Sequence, residues 1–139
     1  QHGKKSEYAL CAAQWHKELS YKDDFFGDGL KFDNDFNMEF GYAPPYQAAE
    51  SSAALLVWKD AFERANSTDT EKVRDALAKT DMQTFYGNIK FGSGGQNTAK
   101  PMVLFQVICD GDKCENKVVA PTKWASAKLV HPVPKWSER

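Results

Sequence analysis

Apolar and polar positions follow three different rhythms along this chain. Tyr8 to Gln14, YALCAAQ, is short, apolar and uncharged, the pattern of a buried strand. WHKELSYKDDFFGDG follows without a period and predicts a loop carrying aromatic anchors. From Asp28 onward, Phe32, Phe36 and Phe40 recur every fourth residue, with Lys31, Asp33, Asp35 and Glu39 elsewhere. That spacing predicts one face of a helix packed into the core, ended by Gly41 as a left-handed cap.

YAPPYQ cannot be helical at its centre, because its paired prolines force an extended crossing. A long helix is predicted from Tyr46 or Gln47 to Ala65. Its first half, AAESSAA, is built of small residues, so another backbone or a ligand can approach closely. Its second half presents Leu55, Trp58 and Phe62, with Ala54, Ala61 and Ala65, as the expected packing face. STDTEKVRDALAKT carries a capping box, Thr68 with Glu71, ahead of Val73, Ala76 and Leu77 at helical spacing.

TDMQTFYGNIKFGSGGQN then reads as helix end, turn, short strand and glycine turn. Thr84 to Gly87 turn the chain, Ile89 and Phe91 alternate inward, and Gly92 to Gly95 turn it again. PMVLFQVIC, DGDK and CENKVVAP form a strand, a tight turn and a second strand. TKWASAKLVHPVPKW is expected to be an extended tail held by Trp124 and Trp136. The expected organisation is one compact unit: a crossing strand and loop over 1–27, helices over 28–82, strands and hairpin over 83–120, and the tail over 121–139.

Bulk properties narrow the class. The 139 residues suffice for one domain with a buried core. A composition 42% hydrophobic and 27% charged, with net charge −1, argues against a disordered chain and against nucleic acid as a partner. The longest nearly uncharged apolar run, Ala53 to Trp58, is far below the roughly 20 residues of a membrane span. The start at QHGKKSEYALCAAQW, without Met or a leader, is expected to mark a processed or excised segment.

Reactive chemistry is sparse. His2, His16 and His131 lie in a terminal tail, a loop and a proline-rich tail, none paired at catalytic spacing. FGSGGQN lacks the order of a phosphate loop and no helix pattern follows it. Asp23-Asp24 and Asp110-x-Asp112 lack the length and ligand alternation of a calcium loop. No enzyme, no metal and no cofactor are expected. Cys109 and Cys114 flank the predicted turn, and a cross-strand disulfide is possible there in an oxidising compartment. Cys11 is then left over, either buried as a small hydrophobe, the favoured reading, or free to link two chains. Asn66-Ser67-Thr68 fits a glycosylation acceptor, but its plainer reading is a helix cap followed by a turn.

Order and spacing together carry more than any single motif. FGYAPPYQAAESSAALLVWKDAFERANSTDTEKVRDAL, then TDMQTFYGNIKFGSGGQN, then PMVLFQV, closely resembles the last third of type I periplasmic solute-binding proteins. The nearest group is the branched-chain amino acid (leucine, isoleucine, valine) receptors of ABC transporters, and AKLVHPVPKW is similar to their proline–tryptophan ending. The resemblance runs from about Tyr8 to Trp136. It departs at CDGDKC, where that family seldom carries cysteines, and in length, since a complete member is two to three times longer.

The resemblance implies an α/β fold, a partial Rossmann-like lobe ordered strand–helix–helix–helix–hairpin within a two-lobed protein. It implies an amino acid-like small molecule held between lobes, an ABC transporter permease as partner, and a periplasmic or extracellular location. Helices shaped to cover a larger sheet would leave bare apolar faces, for the rest of the binding protein or a second copy to cover. By analogy the ligand lies near the Pro44–Glu50 crossing. Tyr46 and Gln47 are the pocket candidates, Glu50 the candidate ammonium partner, and Trp15 a cleft-wall aromatic. Competing structural roles are a hydrophobic staple for Tyr46 and a helix-dipole charge for Glu50. A ligand-sensing receptor module, or an assembly domain without ligand, are the alternative functions.

Overall fold

The computed structural model describes residues 3–138; His2 lies outside them. Strand β1 (Leu10–Ala13) leads through a loop with a small hairpin, β2 (Lys22–Asp23) and β3 (Gly27–Asp28), into helix α1 (Gly29–Phe40). Helices α2 (Tyr46–Ala65) and α3 (Thr70–Ala78) follow, then hairpins β4 (Asp81–Thr84) with β5 (Gly87–Lys90) and β6 (Val103–Asp110) with β7 (Lys113–Ala120). The largest sheet is antiparallel in the order β1-β6-β7, and the β4–β5 pair stands apart from it. This is the mixed α/β order of strand, three helices and hairpin, with two small hairpins added.

Local chemistry explains most boundaries. The Asp28 side chain accepts from the Lys31 N–H and starts α1; Gly41, at φ 76°, ends it in the left-handed conformation that glycine adopts without strain. Asn66, at φ 42°, caps α2 in the same region. The expected capping box at Thr68 and Glu71 is corrected: α3 begins at Thr70, and Asp69 is the cap, accepting from the Lys72 N–H. Asp81–Thr84, expected as helix end and turn, is a strand paired with β5.

The packing face of α2 also differs from expectation. Ala49, Ala53, Leu56, Val57 and Ala61 are the buried positions, whereas Leu55 is 68% exposed, Trp58 46% and Phe62 41%. Small residues let the helix backbone come close to the core, and that proximity outweighs the larger area of the opposite face. The phenylalanine stripe of α1 is core only at its start: Phe32 is buried, Phe36 packs against the core, and Phe40 is exposed. The core centres on rings, with Phe32 stacked on Phe85 at 4.3 Å between centroids and Trp15 edge-on to both.

β1 is corrected from buried to largely exposed. It pairs only with β6, and of its four residues Ala13 alone is buried. Cys11 is therefore an exposed free thiol rather than a buried hydrophobe. Cys109 and Cys114 stand opposite each other in the β6–β7 register and are joined as a disulfide. In the tail, Trp124 packs against the core but Trp136 is 66% exposed, so it is no buried anchor. The tail is instead held by the buried Gln106 side chain, which donates to the Val130 carbonyl and accepts from the Val130 N–H.

Candidate functional site

The extended crossing from α1 to α2 ends against the loop after β1 and the face of the β6–β7 hairpin. A cavity of about 380 Å³ lies there, walled by residues 13 and 15–18, by Asp33, by residues 43–46, by Phe105 and by residues 115–117. Proline at 44 and 45 keeps the crossing extended, and Pro45 caps α2 without a side-chain hydrogen bond to its first turn. Tyr46, the first residue of the 20-residue helix α2, therefore lines the cavity at the helix's N-terminal end.

Gly29 brings the opposite wall close. A Cβ at Gly29 would lie 2.6 Å from the Lys17 carbonyl oxygen, so only glycine lets α1 start this near the loop. Lys17 then reaches Asp33 on α1 at 2.9 Å. On the far side, Lys117 of β7 bridges Glu18 at 3.3 Å and Glu115 at 3.0 Å. Hydrogen bonds from Lys113 and Lys117 hold the Glu115 carboxyl well down, to about 2. Burial pushes His16 below its ordinary value, against the pull of Glu18. Burial alone would raise Glu18, but Ser126, Lys117 and His16 outweigh it and keep its carboxyl low. The wall thus carries compensated charge around an aromatic and proline floor.

Of the sequence-derived candidates, Trp15 and Tyr46 meet at this cavity. Trp15 is 5% exposed, and its Nε1 is buried without a hydrogen bond. Tyr46 is 40% exposed. Gln47 is exposed on the first turn of α2 and belongs to neither large cavity. Glu50 lies one turn further on and lines a second, wider groove of about 690 Å³ between α2, α3 and β5. That groove is mainly apolar, with Val57, Trp58, Leu77, Tyr86, Ile89 and Phe91 in its walls. Beside it the Lys100 ammonium sits 3.6 Å over the Tyr86 ring. Burial pushes Lys100 down to about 8, opposed by the Glu50 charge, and pushes the Tyr86 phenol up.

His16, Lys17, Glu18, Asp33, Glu115 and Lys117 also line this cavity, and sequence reasoning did not single them out for it. Their only local signal is the dense charge of WHKE; the partners come from α1 and β7, far along the chain. Among the described residues no cluster of His, Cys, Asp and Glu is arranged to hold a metal, and no helix is long and apolar enough to cross a membrane.

Several solved structures share this architecture. The chain is similar to the leucine-binding protein LivK of Thermotoga maritima, with TM-score 0.63 and 23% identity over 87% of this chain and 33% of that one. It is similar to a periplasmic binding protein from Burkholderia mallei, with TM-score 0.69 and 18% identity over 89% of this chain and 35% of that one. A putative branched-chain amino acid ABC transporter protein from Silicibacter pomeroyi aligns with TM-score 0.69 and 16% identity, over 94% and 36% of the two chains. The chain therefore spans about a third of the length of these structures. Residues 2–113 match the periplasmic binding protein family, and with that match over most of its length the chain belongs to this family.

Proposed function

We propose that this chain carries part of the solute site of an extracytoplasmic binding protein that delivers an amino acid or related small molecule to an ABC transporter permease. One observation supports this reading most: the cavity at the α1–α2 crossing joins the N-terminal end of α2, Tyr46 and a wall of compensated charge. Helix N–H groups favour a carboxylate, and the proline and aromatic surfaces favour an apolar side chain. The location that goes with this role is periplasmic or extracellular, and the binding role uses neither metal nor cofactor.

The test is isothermal titration of the 139-residue chain with leucine, isoleucine and valine. Saturable heat that is lost in Tyr46→Ala and kept in Trp58→Ala supports the reading. Heat lost in Trp58→Ala and kept in Tyr46→Ala assigns binding to the apolar groove instead, and no heat with any of the three overturns it.

A second reading is favoured by the exposed Leu55, Trp58 and Phe62 beside that groove. An apolar face of this kind suits assembly with the rest of a two-lobed protein or with a second copy. Light scattering after size exclusion tests the second-copy form, which a clean monomer contradicts.

A further inference from the structure

The β1-β6-β7 sheet has two outer edges, and the chain covers only one of them. The β7 edge is closed by the tail. There the Val118 carbonyl accepts from the Ser126 and Ala127 N–H groups, and the Val118 N–H donates to Oγ of Ser126. The β1 edge is open. Val107 of β6 donates to the Ala9 carbonyl and accepts from the Tyr8 N–H. Ala9, and with it Cys11 and Ala13, therefore turn their backbone groups toward β6. Leu10 and Ala12 turn theirs outward, where among the described residues only the Cys11 thiol meets them, 3.4 Å from the Ala12 carbonyl.

The sequence of this strand does not suit an edge left in water. YALCAAQ has no charged residue and no proline, so it lacks the devices that keep a free edge from pairing. Yet Leu10 is 46% exposed, and Cys11 and Ala12 are exposed as well. An open ladder on such a strand takes up another strand readily.

We propose that the outer edge of β1 pairs antiparallel with the same edge of a second copy, so that two three-stranded sheets become one. Backbone direction fixes the register, because outward groups pair only with outward groups. The register that uses both outward residues of each strand sets Leu10 opposite Ala12, and Ala12 opposite Leu10. Each of these pairs exchanges both N–H···O bonds. The twofold axis then passes at Cys11, and the residues brought together carry no like charges. The contact is short, so it forms by mass action and weakens on dilution. It is separate from the apolar face of α2 and stands whether or not the solute reading holds.

Cys11 reports this register. It faces its counterpart as a non-hydrogen-bonded pair, with side chains on one face and about 4.5 Å between Cα atoms. Cys109 and Cys114 stand in the same relation across β6 and β7, and there a disulfide joins them.

The test is amide hydrogen exchange of the 139-residue chain by NMR at two concentrations. The amides of Cys11 and Ala13, bonded to β6, should exchange at the same rate in both. Those of Leu10 and Ala12 should exchange faster after tenfold dilution, by up to about threefold, the square root of the dilution. Equal rates for Leu10 and Ala12 at both concentrations overturn the proposal. Trapping with oxidised glutathione checks the register: the disulfide between copies forms, and the reagent leaves as its two thiols. A linked dimer should appear in wild type, be absent in Cys11→Ser, and form at least about tenfold more slowly in Ala12→Pro, whose proline removes an outward N–H and spares the β6 ladder. Linkage as fast in Ala12→Pro as in wild type overturns the register. If Ala12→Pro does not fold, the exchange rates of wild type decide alone. A dimer in which Leu10 and Ala12 exchange freely places the contact on another face and overturns the proposal.

Discussion

Asp23 and Phe85, 62 positions apart, are joined by a 2.6 Å hydrogen bond from the Phe85 backbone N–H to Oδ2 of Asp23. Oδ1 of the same carboxylate accepts from the N–H groups of Phe25 and Phe26 at 2.9 and 2.7 Å. One side chain therefore folds the aromatic loop back on itself and joins it to the turn of the β4–β5 hairpin. Asp23→Ala should destabilise the chain by about 2–4 kcal/mol, because it leaves backbone donors beside the core unpaired. Urea denaturation measures this, and a loss below about 0.5 kcal/mol would mean that water replaces the carboxylate at little cost.

Gln106 plays the matching part for the tail. Its fully buried side chain donates to the carbonyls of Tyr8 and Val130 and accepts from the Val130 N–H. Gln106→Leu should cost about 2–3 kcal/mol and loosen the proline-rich tail ahead of global unfolding. Limited proteolysis should then cut after Leu129 sooner than in wild type, and an unchanged digestion pattern would contradict this account of the tail.

The two faces of α2 make opposite predictions. Ala53 is 1% exposed and Leu55 68% exposed. Ala53→Leu should cost about 1–3 kcal/mol through overpacking, whereas Leu55→Ala should stay within about 0.5 kcal/mol. Chemical denaturation of the pair decides which face is core.

Lys100 gives a pH dependence with a definite sign. Burial lowers its folded-state value from 10.5 to about 8. Between those values the unfolded chain binds a proton that the folded chain does not, so stability should rise as pH rises from about 8 to 10.5. Lys100→Met keeps the stem packed over Gly87 and Tyr86 and removes the charge. The variant should be the more stable at pH 7, and its advantage should shrink toward pH 10.5. A pH-independent difference between the two proteins would contradict this assignment.

Sequence patterns carried the backbone punctuation well, because caps and turns are set by a few adjacent residues. Gly41, Asn66 and the turn between Cys109 and Cys114 all read directly from local chemistry. The faces of α2 did not, because period alone cannot say whether Trp58 or Ala53 meets the core. Burial of β1 was misread for a related reason: an apolar strand looks alike at the edge and at the centre of a sheet. Trp15 and Tyr46 were reachable only through a family resemblance. The pairing in the charged wall was not reachable from the charge of WHKE, since Lys17–Asp33 and Glu18–Lys117 exist only once α1 and β7 have packed.

The central claim is that the cavity at the Pro44–Tyr46 crossing holds the solute. Chemical-shift mapping of the labelled 139-residue chain during leucine titration tests it most directly. The expected result is saturable shifts confined to residues 13–18, 43–46 and 115–117, with the Trp15 indole signal among them. Shifts confined to the groove of Trp58, Leu77 and Phe91, or none at millimolar leucine, would contradict it.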